Sequence, residues 1–354
     1  MKIAYIEICV GMAKLVAWWH SYALGFKIKG SKIYQGKHGK QISYWLQQGE
    51  ANLLITSALE PAAHDLVSFV DRHGNTIKSF AVEVDNIEKE RERLEERKAI
   101  LLHSGIEWIE VGTSRAGMVR AKLFDDNEII FVERQNCIDT ILPGFIPFEE
   151  ELPDFNHIKN IDHIASVVRI NESDYWNEYL MRILDLKAQQ TIGEEFFENL
   201  LTGMKMHVLS SPNKKINKVI VEPLATKKKN SQVDIFLEQH QGIGIQHLAF
   251  EVDNLFDTVA MLKLKNIKFN PIPENYYQQL AADSPELPIE ALKKANILCE
   301  KDGDKLLLQI FTEPIGDRPT LFYEFIQRVN YYSGFGANNV RQLFKSMEVS
   351  IAGE

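Results

Sequence analysis

The alternation of apolar and polar positions changes period in the same way once in each half of the chain. Ile77-Lys-Ser-Phe-Ala-Val-Glu-Val-Asp-Asn-Ile87 alternates with a period of two, the mark of a half-buried strand, then passes into a helical pattern through Lys98. Ile245-Gln-His-Leu-Ala-Phe-Glu-Val-Asp-Asn-Leu255 does the same and runs on helically through Asn266. Lys2 to Ile6 is echoed by Asn160 to Ile164, each opening a strand ahead of a tryptophan-bearing helical stretch (Trp18-Trp19 and Trp176). Phe131-Val-Glu-Arg134 and Phe325-Ile-Gln-Arg328 close the two copies. Three echoes in one order at similar offsets indicate an internal duplication.

Each half thus predicts a strand, a helix and several strands, then the same again. Such a unit cannot cover its own sheet face, so units pair into curved sheets around a shared cavity. The expected fold is α+β, with two domains of paired βαβββ modules. They span 1–134 and 160–354, joined by a linker over 135–159 that holds Pro143, Gly144, Pro147, Pro153 and the acidic run Glu149 to Glu151. Near the C-terminus, Val340, Leu343, Phe344 and Met347 fall at i, i+3, i+4 and i+7. This spacing predicts an amphipathic helix over 338–350, behind the flexible Ser333-Gly-Phe-Gly336.

Composition narrows the function. The 354 residues are 45% hydrophobic and 25% charged, which excludes bulk disorder and suits two globular domains. A net charge of -9 leaves no large basic face, so nucleic acid is not an expected partner. Cys9, Cys137 and Cys299 lie far apart without a C-x-x-C pair, as small buried residues in a reducing compartment do. Glu7 and Lys14 interrupt the apolar N-terminus, and no apolar run reaches the ~18–20 residues of a membrane span. The expectation is a cytoplasmic protein without a membrane partner, with homo-oligomerisation left open.

Phosphate-loop, G-x-S-x-G and H-E-x-x-H patterns are absent, and Gly242 and Gly244 lack the third glycine of a dinucleotide loop. What remains is strand-borne: His163, His247 and Glu324, the last inside the apolar run Leu321-Phe-Tyr-Glu-Phe-Ile326. Threading one half on the other sets Tyr5 opposite His163, Ser79 opposite His247 and Ile130 opposite Glu324. Ligand types in one copy only suggest a working metal site in the second half and a vestigial, metal-free first half. Two histidines and a carboxylate make the facial triad of non-haem Fe(II) oxygenases, and the same set can hold Zn²⁺.

The chain resembles the 4-hydroxyphenylpyruvate dioxygenase family of the vicinal-oxygen-chelate superfamily. The resemblance rests on Ile161-Asp-His-Ile, Ser210-Ser-Pro212, Val221-Glu-Pro223, Lys229-Asn-Ser-Gln232 and Gly242-Ile-Gly-Ile-Gln-His-Leu-Ala249. It continues through Pro273-Glu-Asn-Tyr-Tyr277, Leu307-Leu-Gln-Ile-Phe-Thr312, Gly316-Asp-Arg-Pro-Thr320, Glu324-Phe-Ile-Gln-Arg328 and Gly334-Phe-Gly336. It implies Fe(II) on His163, His247 and Glu324, with O₂ as co-substrate. It also implies a 2-oxo acid substrate, an arylpyruvate with 4-hydroxyphenylpyruvate as the nearest case, that chelates the metal and is oxidatively decarboxylated. Gln232, Gln246 and Gln309 match pocket glutamines, Phe311 and Phe335 match a pair stacking on the substrate ring, and the last helix matches a gate. Met206, Val219 and Val221 depart from the pattern, which has serine, proline and asparagine there; Val340 replaces a phenylalanine. The hydroxymandelate synthase branch also carries an aliphatic residue at the asparagine position, whereas Phe335 looks like the dioxygenase branch. A member of the superfamily that binds a ligand without chemistry is the third alternative.

Overall fold

The computed structural model describes residues 1–36, 39–148, 157–198, 200, 203–225 and 231–343. The first half opens with β1 (Lys2–Cys9), α1 (Ala13–Leu24), β2 (Lys27–Gly36), β3 (Gly39–Gln48) and β4 (Ala51–Ala58). After α2 (His64–His73) come β5 (Thr76–Glu83), α3 (Ile87–Glu96), β6 (Glu107–Val111), β7 (Ser114–Leu123) and β8 (Asn127–Gln135), and then the short β9 (Ile146–Pro147). The second half repeats the series with β10 (Ile158–Val167), α4 (Ser173–Leu184), β11 (Lys187–Ile192), β12 (Met204–Ser210), β13 (Asn217–Pro223) and α5 (Gln232–His240). Next come β14 (Gly244–Val252), α6 (Leu255–Leu264), α7 (Glu274–Asp283), α8 (Ile289–Ala295), β15 (Leu298–Asp302), β16 (Lys305–Phe311) and β17 (Phe322–Val329).

The strands form two curled mixed sheets of one topology. The first runs β6-β7-β8-β5-β1-β4-β3-β2 with β9 added at its edge, and the second β15-β16-β17-β14-β10-β13-β12-β11. The fold is α+β. Register carries the duplication to single residues. Tyr5 faces Ala81, which faces Ile130, just as His163 faces Ala249, which faces Glu324. The matching Val-Asp-Asn stretches end strands and cap helices: the Asn86 and Asn254 side chains accept from the first-turn amides of α3 and α6.

Two features depart from a simple repeat. The helices α7 and α8 interrupt the fourth module, where the sequence pattern predicts strands alone. The segment after β8 does more than connect: β9 pairs with β2, and Ile141, Leu142 and Phe145 fill the first sheet's interior beside Tyr5, Trp45 and Ile130. The acidic run Glu149 to Glu151 and Pro153 lie outside the described residues. Residues 337–343 form the expected last helix, and 344–350 lie outside the described residues. The three cysteines are free, with Cys9 and Cys299 buried, and no described helix is long and apolar enough to cross a membrane.

A large apolar core joins the outer faces of the two sheets through Phe80, Phe124, Ile164 and Phe250. Lys218 is fully buried there, its Nζ donating to Ser166 Oγ at 2.6 Å with the Phe80 and Phe124 rings 5.7 Å away. Burial lowers this ammonium's pKa from 10.5 to about 7. The unfolded chain therefore holds the proton between about pH 7 and 10.5 while the native state releases it, so this group makes stability rise with pH across that window. Below pH 7 the full penalty is present. At ~1.4 kcal/mol per unit it amounts to at most roughly 5 kcal/mol. Lys218→Met should accordingly raise the urea midpoint at pH 6 and lose that advantage towards pH 10. Equal midpoints at pH 6 would show that Ser166 and the two rings already offset the burial.

Candidate metal centre

β10, β14 and β17 are neighbours in the second sheet, and their inward faces bring His163, His247 and Glu324 together. One ligating atom from each lies within 4.8 Å of the others. His163 Nε2 stands 3.2 Å and His247 Nε2 3.6 Å from Glu324 Oε2. Glu324 is 1% exposed, so the apolar run around it places a carboxylate where only a partner makes one tolerable.

The outer partners decide which atoms face inward. Asp162 Oδ1 lies 2.8 Å from His163 Nδ1, and Arg328 grips Asp162 through Nε at 2.7 Å and Nη2 at 2.8 Å. A proton on Nδ1 leaves the Nε2 lone pair for a metal. Glu324 Oε1 accepts from Gln309 Nε2 at 2.7 Å, Gln309 Oε1 accepts from Asn339 Nδ2 at 2.7 Å, and Asn339 Oδ1 accepts from the Tyr276 hydroxyl at 3.0 Å. Glu324 Oε2 is thereby turned to the two imidazoles. The His247 ring lies on Phe322, with centroids 4.7 Å apart, and its Nδ1 is buried without a hydrogen-bond partner among the described residues.

Charge follows this wiring. Burial raises the Glu324 pKa, but the adjacent imidazoles outweigh it and hold the carboxyl down at about 2. His163 is disfavoured as a cation by burial, yet Glu324 and Asp162 lift it to about 9. Burial leads at His247 and moves it down. Asp162 stays well below the usual carboxylate range, because Arg328 and His163 overcome its burial. Two imidazole nitrogens and a carboxylate oxygen, buried, converging and held from behind, fit a divalent metal with positions left open.

Beside the triad, Phe335 meets His163 edge-on at 5.5 Å and Phe311 meets His247 at 6.2 Å. Met206, Val219 and Val221 form an apolar wall with Val233, Phe236, Ala337 and Val340. Gln246 is buried at the register shift just before His247 and has no hydrogen-bond partner among the described residues. Gln309 faces the centre with its carboxamide already committed to Glu324 and Asn339. It lies on the same face of β16 as Phe311, hydrogen-bonded to the carboxylate of the triad. Gln232 lies apart: as the first residue of α5, after the Ser231 cap, its side chain is exposed and is not enclosed with the other two glutamines.

Asp162, Arg328 and Asn339 are positioning residues that sequence reasoning did not single out. Neighbouring strand residues ordinarily point to opposite faces, so Asp162 gives no hint that it touches His163. The register of β10 against β14 shifts between Ile161 and His163, and this irregularity brings the two side chains together.

No family model matches the chain. Whole-length relatives do. It is 30% identical to the 4-hydroxyphenylpyruvate dioxygenase of Yarrowia lipolytica, covering 97% of this chain and 90% of that one. It is 28% identical to the protein of that name from Danio rerio, with 98% and 90% covered. Among solved structures, a mutant of 4-hydroxymandelate synthase from Streptomyces coelicolor matches with a TM-score of 0.81 at 26% identity, over 99% of this chain and 98% of that one.

Proposed function

The chain belongs to the 4-hydroxyphenylpyruvate dioxygenase family, and from that premise we propose that it is an Fe(II)-dependent oxygenase of a 2-oxo acid, acting on an arylpyruvate. The observation that carries this reading is the convergence of His163, His247 and Glu324 within 4.8 Å beside an apolar wall. In the balanced reaction, arylpyruvate and O₂ give CO₂ and a hydroxylated arylacetate. One oxygen atom enters the new carboxylate and the other the hydroxyl.

His163, His247 and Glu324 would hold the iron, which when bound supplies the redox chemistry and a chelation site for the 2-oxo acid. Asp162 keeps the His163 proton on Nδ1, so that Nε2 remains a ligand. Gln309 fixes Glu324 through one oxygen and frees the other. Phe311 and Phe335 border the space where the substrate ring would lie. Gln246 offers an uncommitted amide for a polar substrate group. Residues 334–343 cover the wall through Phe335, Ala337 and Val340 and exclude water.

Anaerobic loading with Fe(II), followed by O₂-uptake measurements over a panel of 2-oxo acids, tests the proposal. Uptake should require both iron and the 2-oxo acid. A loaded protein that consumes no O₂ with any of them would leave only ligand binding. Proton NMR of the product separates ring from benzylic hydroxylation, homogentisate from the isomeric mandelate.

The wall adds a prediction about substrate preference. A phenol hydroxyl buried against Met206, Val219 and Val221 is offered no hydrogen bond by these three side chains. The unmet hydroxyl costs about 1–3 kcal/mol, and an apolar pocket rejects an added hydroxyl only by about that much. Phenylpyruvate or a bulky aliphatic 2-oxo acid should therefore have the higher kcat/KM, by roughly thirtyfold at the middle of that range. Met206→Ser with Val221→Asn should move preference towards the phenol. A tenfold wild-type preference for 4-hydroxyphenylpyruvate would refute the apolar-wall argument.

A further inference from the structure

The register that maps the metal centre onto the first half also maps the walls around it. Met206 faces Val221, as Ser43 faces Thr56. Phe311 faces Glu324, as Arg120 faces Ile130. Gln246 falls at the same register shift as Lys78. The second barrel thus carries polar ligands inside apolar walls, whereas the first carries polar walls around the apolar or neutral Tyr5 and Ile130. A cavity of about 490 Å³ opens there, lined in part by Glu7, Tyr34, Gln41, Thr56, Lys78 and Arg120.

The charges of this cavity are unequally partnered. Arg120 is committed to Glu107 at 3.1 Å and Glu128 at 3.0 Å. Lys78 pairs with Glu128 at 3.4 Å and lies over the Phe69 ring. Glu7 has no such partner: Oε1 accepts from Thr56 Oγ1 and Oε2 from Ser79 Oγ, both at 2.9 Å. The Ser43 hydroxyl, 2.7 Å from Thr56 Oγ1, can donate to it and so keep the threonine proton on Glu7. Among the described residues no Lys, Arg or His stands within ion-pair distance of Glu7. Two hydroxyl donors fix this carboxylate as an oriented acceptor, with lone pairs left over. Among the described lining residues Glu7, Asp65 and Glu128 stand against Lys78 and Arg120, one negative charge in excess with His103 neutral.

We propose that the first barrel holds a second binding site, for a small organic monocation whose primary ammonium group pairs with Glu7. A partly enclosed carboxylate with neutral partners gains most from a compact cation that donates several hydrogen bonds, and an ammonium donates three. The volume suits a molecule of monoamine size. This site is separate from the metal centre, because the residues that line it belong to the first sheet and its connections alone.

Calorimetric titration of the iron-loaded protein with ethanolamine, butylamine, phenethylamine and tyramine tests the assignment, with 3-phenylpropionate as a size-matched anion. At least one amine should saturate at one per chain and the anion should not bind at this site. Glu7→Gln should weaken the amine tenfold or more. Gln41→Trp, which fills the cavity from β3 without replacing Glu7, should abolish binding and serves where Glu7→Gln does not fold. Glu324→Ala should leave amine affinity unchanged, which separates this site from the metal centre. Absence of saturation with all four amines, or equal affinity in wild type and both first-barrel variants, would overturn the proposal.

Discussion

Glu324→Ala should reduce substrate-dependent O₂ uptake to background and weaken Fe(II) binding in the same protein. The reason is geometric. Glu324 Oε2 is the atom that both imidazoles face, and of its strand neighbours Phe325 carries no side-chain oxygen while the Tyr323 hydroxyl is hydrogen-bonded to His20 Nε2 in the core on the other face. Losing an outer partner of a metal ligand typically costs about 10- to 100-fold in affinity or activity. Asp162→Asn should fall in that range, and the ligand itself should exceed it. The first-barrel counterpart supplies the control: Tyr5→Phe, at the position equivalent to His163, should leave turnover intact. An iron titration and an oxygen electrode suffice for both variants. Full uptake by Glu324→Ala would reject the triad, and a large loss in Tyr5→Phe would reject a site confined to the second barrel.

The triad was legible because each ligand breaks the apolar alternation of a strand whose duplicate keeps a non-ligand residue. That comparison needs only register, and register follows from period. Its supports were hidden for physical reasons. Asp162 reaches His163 through an irregularity in β10, which no residue in the sequence marks. Asn339 joins Gln309 to Tyr276 across 63 residues, and α7, which carries Tyr276, is itself a departure from the repeat. The buried role of Ile141, Leu142 and Phe145 was equally unreadable, since a proline- and glycine-marked connector looks the same whether it crosses the surface or fills a barrel. Gln232 is the converse case. A residue type that matched a pocket position falls at the start of a helix, where its side chain is exposed to solvent.

Truncation before Gly334 should weaken iron binding by about tenfold without abolishing it, and should uncouple O₂ consumption from product formation. The three ligands all precede the cut, so the donor set survives. What is lost is the cover: Phe335, Ala337 and Val340 pack on the wall formed by Met206, Val219 and Val221. Without it water reaches the reacting centre, and a site that depends on excluding water loses control of its oxidant. The same cut also removes Asn339, which holds Gln309 against Glu324, so the two effects must be separated. Asn339→Ala keeps the cover and loses only the hydrogen bond. It should weaken iron binding by about tenfold, as an outer-shell loss does, while product formed per O₂ consumed stays near the wild-type ratio. Gly336→Ala offers an intermediate case. Its backbone has φ of +76°, and a Cβ there would run into the Gln309 carboxamide, so it should disturb closure and ligand support together. Unchanged coupling in the truncated protein would mean that the last helix only packs against the barrel, and that the wall residues alone keep the reacting centre dry.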